Sequence, residues 1–373
     1  MCAAAISPTK KNSIKPWRTG AYLCPQNPNP VKRILLFLLL LGLAVGGYFG
    51  FVKYQIYTAP NVPDELSATF VHIPSGATFD QVVDTLLQNG QLLDADGFRE
   101  VAAQLKYVRT PMRAGRFAIE PGWSNLKLVR HLRGGAQAPV KVVLTNARFV
   151  EEVAGDVARQ IEADSAAIMA LLSDPAYLDT LGLDPATALT LFIPNTYELY
   201  WNTSAGGFVD RMRKEHTRFW GSEERLAKAE AANLSPEEVY TLAAIVQKET
   251  NQNAEKPRVA GVYLNRLERG IPLQADPTVV YALRQFDLRR VLFRHLEVDS
   301  PYNTYKNAGL PPGPIAMADI SSIDAVLDPE AHDYLYFVAR GDESGRHNFS
   351  KTLAGHNANI RTYQQNLRRR GLR

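Results

Sequence analysis

The most apolar part of the chain is an uncharged run at positions 34–52. At a rise of about 1.5 Å per residue, a helix of this length crosses a hydrocarbon layer of roughly 30 Å. Lys32 and Arg33 stand immediately before the run. The pattern therefore predicts a single transmembrane helix over residues 33–53.

The charges around this run predict its orientation. Residues 1–31 contain four basic residues and no acidic one, and positively charged flanks stay on the cytoplasmic side. Residues 1–32 are therefore predicted to form a cytoplasmic tail, and the chain after the helix is predicted to lie outside, beginning with a linker at 54–66. A cleaved signal peptide is the alternative, but its apolar stretch is only about 7–15 residues long and ends at small residues.

Beyond the linker, two segments resemble each other at an offset of 46 residues. They begin at Ile73 and Ile119, and each consists of a strand end, a glycine-containing turn, an N-cap residue (Thr78 or Ser124) and an amphipathic helix. A looser third copy begins at Val142. Repeated strand–turn–helix units of this size predict a small α+β module.

The predicted module covers residues 67–145 and resembles the LysM-like fold, which holds glycan strands in cell walls. Ordinary helix capping is the alternative explanation for the shared pattern. A larger α+β domain is predicted over residues 146–368. Its first part has mostly helical periodicity, interrupted at 191–200 by a strand or loop with a central proline. The predicted fold class is thus α+β, behind one transmembrane helix.

The best-defined element of the larger domain is a helix at positions 235–249. Ser235 is the predicted N-cap, Pro236 occupies the first helical position, and Glu238 completes a capping box. At 100° per residue, Glu249 falls between Leu242 and Ile245 on the apolar face. Gln247 and Lys248 are predicted to lie on the other side of the helix.

A carboxyl group among aliphatic side chains is expected to have a raised pKa, because burial disfavours its charged form. Glu249 would then hold a transferable proton near neutrality, as a general acid requires. The alternative is a frayed helix end, with Glu249 in solvent or paired with Lys256 or Arg258. Helix geometry alone leaves both possibilities open.

Composition excludes several classes of function. The chain has 42 basic and 38 acidic residues, but seven of the basic residues lie within positions 1–53 without any acidic one, so the remainder is slightly acidic. This balance argues against nucleic-acid binding. Both cysteines, Cys2 and Cys24, belong to the predicted cytoplasmic tail, which leaves no disulfide, thiol nucleophile or cysteine metal site outside.

Several motifs follow the Glu249 helix in close succession. They are Lys-Glu-Thr at 248–250, Asn-Arg-Leu at 265–267, Leu-Gln-Ala-Asp-Pro-Thr at 273–278, Ser-Pro-Tyr-Asn-Thr-Tyr at 300–305 and Gly-Leu-Pro-Pro-Gly-Pro-Ile at 309–315. Together they resemble the YceG-like endolytic murein transglycosylases, which are bacterial inner-membrane enzymes that cut peptidoglycan glycan strands. The resemblance runs from about residue 67 to residue 367.

The resemblance implies that Glu249 is the catalytic acid, in a periplasmic domain anchored in the inner membrane. It implies a lyase that leaves 1,6-anhydromuramic ends, ends or trims nascent strands, needs no cofactor and works beside cell-wall synthesis proteins. Many relatives carry a second glutamate where this chain has Gln247. The chain also departs from the family pattern at Asn195, at positions 316–318 and at Gly355.

A lytic transglycosylase can use one carboxyl group as acid and then as base, whereas a hydrolytic glycosidase needs two. Asp276 is a possible second carboxylate, although a turn-capping role is the favoured interpretation. A muramidase using water at the same glutamate and a non-catalytic wall-binding scaffold stay open as alternatives.

Polar side chains near aromatic ones are the candidates for sugar binding, as open carbohydrate clefts require. They are Gln274, Asp276, Asn303, Tyr305, His347, Ser350 and Asn357. For each of them an ordinary loop hydrogen bond is the alternative role. His347 and His356 lack a metalloprotease motif or a nearby carboxylate partner in the sequence, so no metal site is predicted.

Overall fold

The computed structural model describes residues 30–288 and 290–372. The chain divides into two compact units, Met1–Thr58 and Ala59–Arg373. Cys2, Cys24 and the basic residues of positions 1–29 lie outside the described residues. The described chain is a mixture of helices and short antiparallel strands behind one N-terminal apolar helix.

The first unit contributes helix α1 (Pro30–Thr58), in which no side chain is buried. Its length and composition suffice to cross a membrane. The helix exceeds the predicted span of 33–53 and takes in the start of the predicted linker. Nothing breaks the helix before Pro60, and a proline disfavours helical geometry in the residue that precedes it.

The second unit opens with a strand–helix–helix–strand–helix order. Its elements are β1 (Phe70–Ile73), α2 (Phe79–Gln88), α3 (Ala95–Gln104), β2 (Gly115–Ala118) and α4 (Asn125–Gly134). β1 and β2 are antiparallel, with Val71 opposite Phe117 in the core. Thr78 and Ser124 cap α2 and α4 through their side chains, as predicted.

The end of the predicted linker packs against this part of the chain. The backbone N–H groups of Asn61 and Val62 both donate to the Trp123 carbonyl at 2.9 Å. The buried Asn61 side chain also donates to the Asn125 side chain at 2.6 Å. The linker is therefore docked from Asn61 onward rather than free.

The next region contains β3 (Val140–Leu144), α5 (Val150–Ala158), α6 (Ser165–Leu172), α7 (Pro175–Asp179), β4 (Asn195–Leu199), α8 (Ala205–Trp220) and α9 (Arg225–Ala231). The strand and the helix of the looser third copy are present as β3 and α5, but the N-cap residue of α5, Phe149, makes no side-chain cap hydrogen bond. β3 pairs antiparallel with β4, with Val142 opposite Tyr197. The segment at 191–200 thus supplies a strand. The hydrophobic core of this region includes Phe192 and Phe208, whose ring centres lie 5.9 Å apart in a stacked arrangement.

The last region surrounds α10 (Pro236–Glu249), followed by α11 (Lys256–Glu268), α12 (Asp276–Leu283), α13 (Ile320–Leu327), β5 (Tyr336–Ala339), β6 (His347–Ser350) and α14 (Leu353–Arg369). Ser235 and Glu238 form the predicted capping box on α10. Every residue from Val239 to Val246 is buried. A helix that is apolar all round belongs in a core, and α10 is packed on several sides rather than along one stripe.

Gln247 is therefore not on a solvated face, and that prediction was wrong. Its side chain is half-buried. It donates to the Met317 carbonyl at 3.3 Å and accepts from the Asp319 backbone N–H at 2.5 Å. The segment before α13 covers this side of α10, which a helical wheel of one helix could not reveal. Lys248 is exposed, as expected.

Candidate active site

Glu249 is the last residue of α10, where the chain turns away because Thr250 adopts an extended conformation. Its Oε1 atom accepts a hydrogen bond of 2.7 Å from the hydroxyl of Tyr263 on α11. Tyr263 is itself buried, with its ring edge-on to Phe337 at 5.7 Å. Two packed helices thus hold the carboxyl group in one place.

The alternative of a frayed helix end is wrong. Lys256 donates to the Ser321 hydroxyl at 2.9 Å. Arg258 donates to the Glu330 carboxylate at 2.8 Å. Neither cation therefore pairs with Glu249, whose carboxyl group instead accepts a hydrogen bond from the Tyr263 hydroxyl.

Burial raises the pKa of Glu249 from 4.5 to about 7, and the nearby charge of Asp276 adds to this rise. The Tyr263 hydrogen bond opposes it, because it stabilises the carboxylate. A carboxyl group with this pKa is present in both protonation states at neutral pH. It can therefore act as a general acid in one step and as a general base in the next.

Asp276 is the second carboxylate beside the site, and its predicted role as a turn cap is wrong. Ala275 is the N-cap residue of α12, and Asp276 is the first helical residue, with no side-chain cap hydrogen bond at this helix end. The Tyr305 hydroxyl donates to Asp276 Oδ1 at 2.6 Å. The exposed Asp276 side chain lines the cleft and is held there by the half-buried Tyr305.

Glu249 opens into a cleft of about 650 Å³. Tyr263, Asp276 and Tyr305 are among its lining residues, and so is Phe293, which is 90% exposed. The other lining residues are Arg266, Leu273, Gln274, Leu296, residues 335–339, His347, Leu353, His356 and Ile360. Aromatic side chains beside a few polar groups are suited to binding the faces and hydroxyl groups of sugars.

A second cavity of about 440 Å³ adjoins the first and shares Glu249 and Asp276 with it. Its other lining residues are Arg148, Lys248, Pro277, Val280, Tyr281, Phe286, Leu288, Arg290, Val291 and Ile315. The acid thus lies where two cavities meet. A polymer can occupy both sides of Glu249 at once.

Arg266 organises the walls of the cleft and was not singled out from the sequence. Its buried guanidinium donates to the backbone carbonyls of Leu335 at 2.7 Å and Leu273 at 2.9 Å, and to Gln274 Oε1 at 3.3 Å. It lies 5.2 Å from the Tyr336 ring centre. A sequence signal existed, because Arg266 follows the buried Val259 by seven residues on one helix face.

Two further predicted site residues line the first cleft. Gln274 is exposed there and adopts a left-handed backbone conformation, with φ of 52°. His347 accompanies it, and its Nδ1 atom lies 3.0 Å from Glu255 Oε2. This carboxylate partner could not be predicted from the sequence, because Glu255 comes from the loop before α11, 92 residues earlier.

Three predicted sugar-binding residues are not in the cleft. Asn303 is fully buried, and its amide donates to the Leu296 and Val298 carbonyls at 2.8 Å, so it shapes a loop. Ser350 is buried, and its hydroxyl has no hydrogen-bond partner among the described residues. Asn357 is exposed on α14, whose neighbouring residues line the cleft instead. All three residues belong to segments that contribute to the cleft, but their side chains lie on the side of the loop, strand or helix that faces away from it.

Within residues 30–288 and 290–372, no group of three or more His, Cys, Asp or Glu side chains is placed to hold a metal ion.

Comparison with known proteins finds relatives that match most of the chain. The profile of the YceG-like family matches residues 71–362. A Bacillus subtilis protein named endolytic murein transglycosylase is 30% identical over 332 residues, covering 84% of this chain and 89% of that protein. A Streptococcus pneumoniae protein of the same name is 27% identical over 362 residues, and the match covers 88% of this chain but 64% of that longer protein.

A solved structure of a yceG-like protein is similar to this chain. The crystal structure of a yceG-like protein from Listeria monocytogenes superimposes with a TM-score of 0.53 at 28% identity. The superposition covers 78% of this chain and 97% of the other.

Proposed function

The chain belongs to the YceG-like family, and from this membership and the geometry of the cleft we propose that it is an endolytic murein transglycosylase. In this proposal it is a lyase that cuts peptidoglycan glycan strands at internal bonds. One observation carries the proposal: a carboxyl group with a pKa of about 7 lies at the junction of two cavities.

In the proposed reaction, Glu249 protonates the glycosidic oxygen as the bond from the muramic acid C1 atom breaks. The resulting carboxylate then takes the proton of the 6-hydroxyl of the same sugar, whose oxygen attacks C1. A 1,6-anhydro ring forms, Glu249 regains its proton, and no water is consumed. Burial raises the pKa of Glu249 and the Tyr263 hydrogen bond limits this rise, and the resulting pKa of about 7 supports both halves of this cycle.

A hydrolytic muramidase is the second candidate, and the position of Asp276 favours it, because this carboxylate lines the same two cavities as Glu249. We prefer the lyase, because Asp276 already accepts the Tyr305 hydroxyl and is placed to orient substrate rather than to activate water. We propose Glu249 as the catalytic residue, with Gln274, Asp276, Tyr305 and His347 as sugar contacts.

The remaining parts of the proposal concern where the enzyme works. We propose that α1 is a single-pass inner-membrane anchor with its N terminus in the cytoplasm, that residues 67–145 form a LysM-like module that contacts glycan, and that residues 146–368 form the catalytic domain in the periplasm. In this position the enzyme would end or trim nascent strands beside the wall-synthesis proteins. A wall-binding scaffold without activity would have no need of an acid at Glu249.

The test is the length of the glycan released from purified sacculi by the full-length protein in detergent. Internal cutting gives strands of many lengths early in the reaction, whereas cutting from an end gives disaccharides from the start. Asp276→Asn separates the two chemistries: a lyase keeps most of its activity, whereas a muramidase that needs Asp276 loses as much as it would through Glu249→Gln. Absence of any release would contradict the proposed function.

A further inference from the structure

Three cationic side chains, Arg148, Lys248 and Arg290, line the second cavity, and together they are called here the cationic half-cleft. Within the described part of the chain, none of the three side chains has an ion pair or a hydrogen bond. The Arg148 guanidinium instead lies 4.4 Å from the ring centre of Phe286. Charges left unpaired in a cavity are available to a ligand of opposite charge.

The acidic groups around the half-cleft compensate these charges only in part. Glu249 and Asp276 also line the cavity, but among the described residues neither carboxyl group forms an ion pair with any of the three cations. Asp276 is held by the Tyr305 hydroxyl, and Glu249, with a pKa of about 7, is only partly ionised at neutral pH. Glu152 accepts the backbone N–H of Arg148 at 2.6 Å and not its guanidinium. Partial burial of its amine and the charge of Arg148 lower the pKa of Lys248, and the charges of Asp319 and Glu152 oppose this fall.

The first cleft differs in this respect. Its lining cation is Arg266, whose guanidinium is committed to the carbonyls of Leu273 and Leu335 and to Gln274. The cleft therefore offers unpaired positive charge on one side of Glu249 and mostly aromatic and neutral polar surface on the other.

We propose that the cationic half-cleft binds a carboxylate carried by the glycan strand on the sugar next to the bond that is cut. This inference rests on the proposed function. Of the two alternating sugars of peptidoglycan, only muramic acid bears a lactyl group, which either ends in a free carboxylate or carries a peptide with carboxylates of its own. N-Acetylglucosamine has neither. Charge recognition here would fix which of the two alternating bonds lies at Glu249.

The test compares three substrates made from the same glycan strands. The first keeps its peptides, the second has been treated with an amidase that exposes the lactyl carboxylate, and the third has this carboxylate converted to a neutral amide. The full-length protein, the double variant Arg148→Gln/Arg290→Gln, the charge-preserving variant Arg148→Lys and the control Lys214→Gln are compared by kcat/KM. Lys214 is an exposed cation on α8 that lines neither cavity.

We expect the double variant to lose about tenfold in kcat/KM on substrates bearing the recognised carboxylate, the scale of two partly exposed charge pairs. It should lose nothing on the neutral substrate, and the loss should shrink as salt is added. Lys214→Gln should behave like the wild type, and Arg148→Lys should keep the preference for substrates that bear the recognised carboxylate. A loss confined to the first substrate identifies the peptide, and a loss on the second identifies the lactyl group.

Equal losses on all three substrates, or no loss on any, would overturn the inference while the proposed function stands. If the wild type cuts none of the three, the proposed function fails and the inference fails with it.

Discussion

At the scale of single residues, the site depends on one carboxyl group whose surroundings oppose its ionisation. Leu242, Ile245 and Val246 are buried on the same helix, and the only hydrogen bond to the carboxyl group in the described chain comes from Tyr263. The balance of burial and one hydrogen bond places the pKa of Glu249 near 7. A change in either contribution should therefore appear in the pH dependence of activity.

We predict that Glu249→Gln abolishes cleavage and leaves the fold intact, because glutamine keeps the shape and can accept the Tyr263 hydrogen bond but has no proton to transfer. In the wild type, the unfolded state loses its proton near pH 4.5 and the folded state near pH 7, so stability falls between these values. The variant lacks this fall. Urea unfolding at several pH values should show the variant gaining relative stability from pH 4.5 to 7 and holding it above. Activity above about a tenth of wild type in a folded variant would exclude Glu249 as the acid.

We predict that Tyr263→Phe shifts the alkaline limb of the kcat/KM profile to higher pH. The Tyr263 hydroxyl stabilises the ionised form of Glu249, so its removal raises the pKa of Glu249 further and keeps the acid protonated. The maximal rate should fall, since the carboxylate is then a less well-positioned base. A pH profile unchanged in position would mean that the alkaline limb reports another group.

At the scale of elements, α10 and α11 are joined to the cleft walls by groups from distant parts of the chain. The capping box of Ser235 and Glu238 could be predicted, because all of its atoms lie within four residues. The partners of Gln247 and His347 could not, because they lie 70 to 92 residues away along the chain. Periodicity predicts that a helix face is buried, but it does not predict what buries it.

The same limit explains the errors among the candidate site residues. Asn303 and Ser350 belong to motifs of the correct region, yet the loop and strand that carry them turn their side chains inward. Tyr263 and Arg266 share the buried face of α11 and were overlooked as site residues, although their spacing was visible. The motifs identified the segments that form the site. Which side chains of each segment line the cleft could be determined only from the tertiary structure.

We predict that Arg266→Leu lowers the free energy of unfolding by about 2–4 kcal/mol, because several carbonyls around the cleft lose a charged hydrogen-bond donor. Activity should fall even where the protein remains folded, since the loops at 272–274 and 334–335 lose their common anchor. Arg218→Leu is the matched control. Arg218 is 81% exposed, and its loss should change stability by less than about 0.5 kcal/mol in the same urea titration. Equal effects of the two substitutions would show that Arg266 is not an organising residue.

At the scale of the whole molecule, an apolar helix of 29 residues precedes a compact unit that carries the acid. The length of the apolar run was sufficient to predict an apolar helix long enough to cross a membrane. The helical end at Thr58 was not predicted, since it depends on where the first helix-breaking residue falls.

We predict a single-pass topology with the N terminus in the cytoplasm, because the basic flank lies before α1. A reporter that is active only in the periplasm should work when fused after residue 65 and fail when fused at residue 20. The reverse pattern, or release of a soluble protein beginning near Pro60, would contradict the anchor.

The central claim is that Glu249 cuts a glycan strand without water, and the oxygen of the new sugar end tests it most directly. The full-length protein is incubated with purified sacculi in water labelled with heavy oxygen, and the products are analysed by mass spectrometry. We predict that the wild type produces anhydro ends without label, and that Glu249→Gln produces no new ends. Reducing ends with one labelled oxygen per cut would mean hydrolysis, and the proposed mechanism would be wrong even with Glu249 as the acid.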